Sequence, residues 1–180
     1  MGCGGSKPDV STNVEEVSTK DNAAGGRPQA PQTQVAEVGA LKAGSKWHFF
    51  LSHTQRSGDA KTMAAELYYE MKALGQEVWL DVKMDRTAIA DMEEGVAKSD
   101  CFLAIITGGD DVNSRYFERE MCRQELLWAI DAGKTIVPVV MMTDKPKVSE
   151  YIAEGKAKGI DLSDCDFKHV DRSNTIMLKA

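Results

Sequence analysis

Residues 114–140 read SRYFEREMCRQELLWAIDAGKTIVPVV, and the reading of this stretch decides the fold. The spacing predicts one amphipathic helix, a glycine stop and then a buried strand. At about 100° per residue, Phe117, Met121, Trp128 and Ala132 fall in one stripe, and Cys122, Leu126, Ala129 and Ile130 widen the apolar arc. Gly133 is placed to end the helix. Thr135–Met141 follows as an almost purely apolar run of strand length. Glu125 interrupts the arc. On periodicity alone such a residue is ordinarily solvated or half of an i,i+4 pair. The other reading is a carboxylate that is paired, or at the rim of a cleft where its proton affinity or charge is used, because burying a free charge is costly.

The flanking sequence repeats the same alternation. Trp47–Ser52 is a short apolar strand, and Asp59–Leu74 carries Met63, Leu67, Met71 and Leu74 at helical spacing, with Gly75 as its stop. Glu77–Leu80 is a second strand ending at Asp81, and Ile89, Met92 and Val96 mark a second helix. Cys101–Thr107 is a third strand, followed by a polar loop over Gly108–Asn113. Beyond the opening stretch, Val148–Lys158 is read as a helix and Thr175–Leu178 as a short last strand. Alternating short strands and helices imply right-handed crossovers and a parallel sheet covered on both faces. Ligands of such sheets bind outside the carboxyl ends of the strands. Here those ends carry Ser52-His53-Thr54, Asp81-Val82-Lys83, Thr107-Gly108-Gly109 and Met142-Thr143.

A chain of 180 residues with 42% hydrophobic composition is enough for one domain and a tail. A formal net charge of -6 argues against a nucleic-acid partner. Cys3, Cys101, Cys122 and Cys165 show no CxxC spacing, which speaks against a zinc site and a secreted disulfide framework and fits a reduced, cytosolic setting. No metal site is expected. The chain has no GxGxxG, GxxxxGK[ST] or GxSxG, and Gly108-Gly109 reads as a turn rather than a phosphate loop. No acidic pair follows the first strand, against a phosphoacceptor receiver domain, and His48, His53 and His169 assemble no Ser/His/Asp set.

The chain opens MGCGGSKP, the N-myristoylation pattern, with Gly2 as the acceptor and Ser6 at the preferred hydroxyl position. One myristoyl chain binds membranes only marginally. Residues 1–43 balance Lys7, Lys20, Arg27 and Lys42 against five acidic residues, so palmitoylation of Cys3 is the expected second signal rather than a polybasic patch. The rest of residues 1–43 is rich in Pro, Gly, Ser, Thr, Gln and Asn and reads as a disordered tether, with a short helix conceivable over Gln34–Lys42. The expected organisation is therefore an acylated tether, 1–43, and a domain, 44–180, on the cytoplasmic face of a membrane.

Several of these segments, in this order, resemble the TIR (Toll/interleukin-1 receptor) domain. They are FFLSH at 49–53, the helix ending ALG, EVWLD at 77–81, CFLAIIT at 101–107, MCRQEL at 121–126 and AGKTIVPVV at 132–140. The resemblance is clear over residues 46–141. FLSH resembles the family's first box, and MCRQEL its W-C-x-x-E-L box with Met121 in place of the Trp. The resemblance implies a flavodoxin-like α/β fold with about five parallel strands and helices on both faces. It implies self-association and contacts with other TIR domains. It also implies one of two uses: cleavage of NAD+, as substrate rather than cofactor, to nicotinamide and ADP-ribose or a cyclic form, or non-catalytic scaffolding in signal transduction. A module that binds a nucleotide signal in the same cleft shares the fold. The family's essential glutamate maps onto Glu125, with Ser52, His53, Asp81 and Met121 as possible lining residues. His53 stands where an aromatic residue is frequent and would stack on or hydrogen-bond a ligand, or else cap its loop. The loop Val82–Thr87 is equivalent to the family's self-association loop.

Overall fold

The computed structural model describes residues 39–85, 88–109 and 111–172. Gly2, Cys3, the tether ahead of Gly39, the end of the Val82–Thr87 loop and the strand expected over Thr175–Leu178 lie outside the described residues. Five parallel strands form one sheet: β1 (Trp47–His53), β2 (Val78–Trp79), β3 (Ser99–Ile105), β4 (Thr135–Met141) and β5 (Lys168–Val170), in the order β2-β1-β3-β4-β5. The helices are α1 (Gly58–Ala73), α2 (Ile89–Ala97), α3 (Glu120–Asp131) and α4 (Val148–Ala157). This is the flavodoxin-like order, with its switch point between β1 and β3.

Strand alternation sorts the core into two faces. Phe50, Phe102, Ala104 and Val140 point to one side, where they pack with Val96 of α2, Leu126 and Ala129 of α3 and Tyr151 of α4. Leu51, Leu103, Ile105 and Val139 point to the other and pack on Met63 and Ala64 of α1. Pro138 is tolerated inside β4 for a readable reason. Val139 gives its carbonyl to Ile106 on the β3 side, so the missing N–H of Pro138 falls on the outer side, where β5 begins only at Val139.

β4 takes the expected bounds and α3 ends as expected. Gly133, at φ 62°, donates to Ile130 O and Lys134 donates to Ala129 O, closing α3 with a Schellman pair. The start of α3 corrects the sequence reading. Phe117 lies before the helix in a 3-10 turn, Tyr116–Glu118, and Arg119 is extended between the two. Burial of Tyr116 and Phe117 holds this turn against helical continuation. The inward stripe is accordingly Cys122, Glu125, Leu126 and Ala129, with Met121 and Trp128 half-buried at its side and Ile130 exposed. A second correction is β5: Lys168–Val170 is too short and too polar to signal a strand, and it forms by pairing with Val139–Met141. Residues 39–42 are irregular rather than helical.

Those residues form a strap across the strands' amino ends. Asp100, near the start of β3, accepts from the Lys42 N–H at 3.1 Å and the Ser45 hydroxyl at 2.6 Å. His48 Nδ1 accepts from Glu77 N–H, so the ring proton is on Nε2, which donates to Gly39 O at 3.0 Å. At the other edge, Arg172 grips the Glu66 carboxylate of α1 with two guanidinium nitrogens, at 2.9 and 3.2 Å.

Gly95 gives α2 its close seat on the sheet. A Cβ there would stand 2.8 Å from Trp79 Cε2 and Nε1 and 3.1 Å from Phe50 Cε2. Both rings are buried and cannot swing aside. Gly95→Ala is therefore expected to lose about 1–3 kcal/mol by overpacking, despite the better helix propensity of alanine. Urea unfolding checks this, and a variant as stable as wild type would show that α2 can lift off without cost.

Candidate functional site

β1 ends in Ser52 and His53, and alternation turns Ser52 to the same side as Phe50, toward α3. Glu125 comes up from α3 to meet it. The Ser52 hydroxyl donates to Glu125 Oε2 at 2.6 Å, and Ser52 Oγ lies 2.8 Å from the Tyr116 phenol oxygen. Ser52 and Tyr116 are fully enclosed and Glu125 is 6% exposed. Glu125 is thus neither solvated nor half of an i,i+4 pair. Among the described residues Ser52 is the only hydrogen-bond partner of its carboxylate. Burial, offset in part by the Ser52 hydroxyl and reinforced by the Asp81 charge, pushes its pKa up to about 8.

The carboxylate forms part of the wall of a cleft of about 400 Å³ at the carboxyl ends of the strands. His53 and Gln55 close it from the end of β1, Asp81 and Val82 from the turn after β2, and Met92 from α2. Arg119, Met121, Cys122 and Glu125 supply the α3 side. Asp81 accepts from the Gln55 amide across the mouth and, at 2.7 Å, from Val82 N–H. Burial holds the His53 pKa below its usual value, against the opposing pull of Asp81, so the ring is neutral over most of the physiological range. The Cys122 thiol donates to His53 O at 3.5 Å. Burial raises its pKa strongly, so it is no nucleophile.

The five residues that the sequence singled out for a cleft are gathered here: Glu125 and Ser52 in contact, and His53, Asp81 and Met121 on the walls. Tyr116, Gln55 and Arg119 were not foreseen. A tyrosine in a turn ahead of a helix has no periodicity to announce it, and Gln55 is placed only by the loop after β1. A larger cleft of about 710 Å³, lined by Ile89, Arg123 and Trp128, lies across Met121 and Arg119 from the first. Its lining holds no buried ionisable group, whereas the smaller cleft has Glu125 in its wall. The turn after β2 is pinned to α1 by Lys83, whose ammonium donates to Tyr69 OH at 2.7 Å. Gly109 has φ 66°, and a Cβ there would collide with Ser114. Among the described residues no group of three or more His, Cys, Asp and Glu is placed to hold a metal ion.

Comparison with known proteins gives one family. The family model described as TIR domain matches residues 49–173. No curated protein matches the chain. Among solved structures, the TIR domains of the activated Roq1 resistosome, which directly recognises the pathogen effector XopQ, are similar at 18% identity, over 66% of this chain and 74% of that one, with a TM-score of 0.48.

Proposed function

This chain belongs to the TIR-domain family, and from that membership we propose that it is an NAD+ glycohydrolase that works on self-association, with Glu125 as its catalytic carboxylate. The observation that carries the reading is a nearly buried Glu125, held at one oxygen by Ser52, in the wall of a cleft at the carboxyl ends of β1 and β2. Cleavage breaks the bond between the ribose C1′ and the nicotinamide nitrogen. The bonding electron pair leaves with nicotinamide, which is then neutral and needs no proton. The ribosyl centre becomes oxocarbenium-like and is captured by water, or by the adenine of the same molecule in a cyclic product. What the reaction requires of the protein is negative charge and a hydrogen-bond acceptor beside that centre, in a site with little water. A single enclosed carboxylate supplies both. The cationic pyridinium ring of the substrate favours the ionised form of Glu125 on binding, and neutral His53 is free to stack or hydrogen-bond.

The test is NAD+ consumption and nicotinamide release by the purified chain, free and crowded on lipid vesicles, beside Glu125→Ala. Turnover confined to the wild type supports the reading. Silence in both, under crowding, would leave a scaffold that acts through contacts with other TIR domains. Met121, where the family's box carries a large flat Trp, is the feature that favours that alternative.

The proposal includes a tether acylated at Gly2 and Cys3, holding the domain at the cytoplasmic face of a membrane, where confinement to two dimensions promotes self-association. Gly2→Ala is expected to shift the protein from the membrane to the soluble fraction. An unchanged distribution in fractionated cells would remove the anchor from the account.

A further inference from the structure

Glu125 presents a problem that the cleft residues do not solve. Asp81 brings negative charge from the turn after β2, neutral His53 and the protonated Cys122 thiol bring none, and Met92 of α2 is apolar. Arg119 lines the same cleft, yet among the described residues no cation hydrogen-bonds the carboxylate. The remaining neighbours are two hydroxyls. A serine has one hydrogen to give. When Glu125 is ionised, Ser52 spends that hydrogen on the carboxylate at 2.6 Å, so the 2.8 Å contact with Tyr116 then runs the other way, phenol to serine. Both hydrogens of the file therefore point toward Glu125. Tyr116 is fully buried, and burial keeps its phenol protonated, so it remains a donor throughout the working pH range.

We propose that Tyr116 and Ser52 are positioning residues: a buried file of two hydroxyls that holds one oxygen of Glu125, favours its ionised form and leaves the other oxygen for the ligand. The carboxylate reaches the cleft with a fixed plane and a defined free oxygen instead of turning about its last torsion. The kinetic side of this inference rests on the glycohydrolase reading; the effect on Glu125 itself does not. Tyr116 also anchors the turn ahead of α3, edge-on to Phe117 with ring centroids 5.3 Å apart, so replacements must keep the ring.

The test uses the full chain, with ¹³C-labelled glutamate and Glu125→Gln to assign the Glu125 carboxyl resonance. Ser52→Ala is expected to move the Glu125 titration midpoint up by about one pH unit and to lower kcat at pH 7 about tenfold or more, the worth of one charge-assisted hydrogen bond. KM should change much less. Ser52→Thr keeps the hydroxyl and should recover most of both. Tyr116→Phe keeps the ring, removes the outer hydrogen and should move the midpoint the same way by less. Midpoints unmoved in folded Ser52→Ala and Tyr116→Phe would overturn the proposal, whatever the activity. A midpoint that moves in a protein without any turnover would sink the glycohydrolase reading and leave the positioning role standing.

Discussion

Glu125→Gln is expected to abolish NAD+ turnover while making the domain harder to unfold at alkaline pH. On the proposed reaction, the loss of activity follows from removing the carboxylate that, among the described residues of the cleft, is alone enclosed beside the ribosyl centre. Removal of one group that stabilises transition-state charge costs on the order of 100- to 1000-fold in kcat, and here no second carboxylate of the cleft is enclosed with Glu125. The gain in stability follows from the same burial. The folded-state pKa of Glu125 is pushed up to about 8 from an ordinary 4.5. Between those two values the unfolded chain has released the proton and the folded chain still holds it. Folding therefore takes up a proton, and stability falls as pH rises through that window, levelling off above about pH 8. A glutamine keeps the shape, can still accept from Ser52 and does not titrate. At pH 9 the variant is expected to exceed the wild type by about 2–4 kcal/mol, and below pH 4 the difference should vanish. Urea unfolding at the two pH values measures this. Equal stabilities at both would show that Glu125 is ionised without cost, and its environment would need another explanation.

The second large effect lies under the site. Phe50 is stacked between Trp79, at 4.2 Å between centroids, and Phe102, at 5.3 Å, both within 9° of parallel. The three rings come from β2, β1 and β3, so the stack crosses the sheet beneath α2 and fixes how α2 lies. Phe50→Ala is expected to lose about 3–5 kcal/mol by cavity formation, with two ring contacts adding about 0.5–1.5 kcal/mol each. Domains of this kind have about 5–15 kcal/mol in all, so the variant should be largely unfolded in mild urea at 25 °C. A loss under about 1.5 kcal/mol would mean that Trp79 and Phe102 close over the gap. Combining Phe50→Ala with Gly95→Ala should be less than additive, because the cavity gives the new methyl group room against Trp79.

How far the sequence could be read depended on whether one face or the whole neighbourhood decided each element. Thr135–Met141 was legible to the residue because a strand buried on both faces writes itself as an unbroken apolar run. The close of α3 was legible because Gly133 has a backbone requirement of its own. The opening of α3 was not. Phe117 satisfies the helical period and is nevertheless buried in a 3-10 turn, since period alone cannot tell a helix from a turn whose aromatic residues reach the same core. β5 was missed because Lys168 and His169 form a strand only by borrowing the edge of β4. In the site, strand ends pointed to Ser52, His53 and Asp81, while the apolar arc alone left Glu125 open and the resemblance of MCRQEL to the family box singled it out. Tyr116 lies 64 positions from Ser52, and only the fold brings the two hydroxyls together.

The strap from Gly39 to Ser45 carries a practical corollary. It is moored to Asp100 and His48, beside the strands' entry points, whereas the Glu125 cleft opens where the strands exit. The chain has, in effect, a handle and a mouth at opposite ends. A fusion partner, a bead or a chip surface joined directly at Gly39 pulls on the handle, on the side of the sheet away from the mouth. A fusion made at Gly39, in place of the tether and its acylation sites, should therefore be the gentlest way to immobilise this domain for ligand screening.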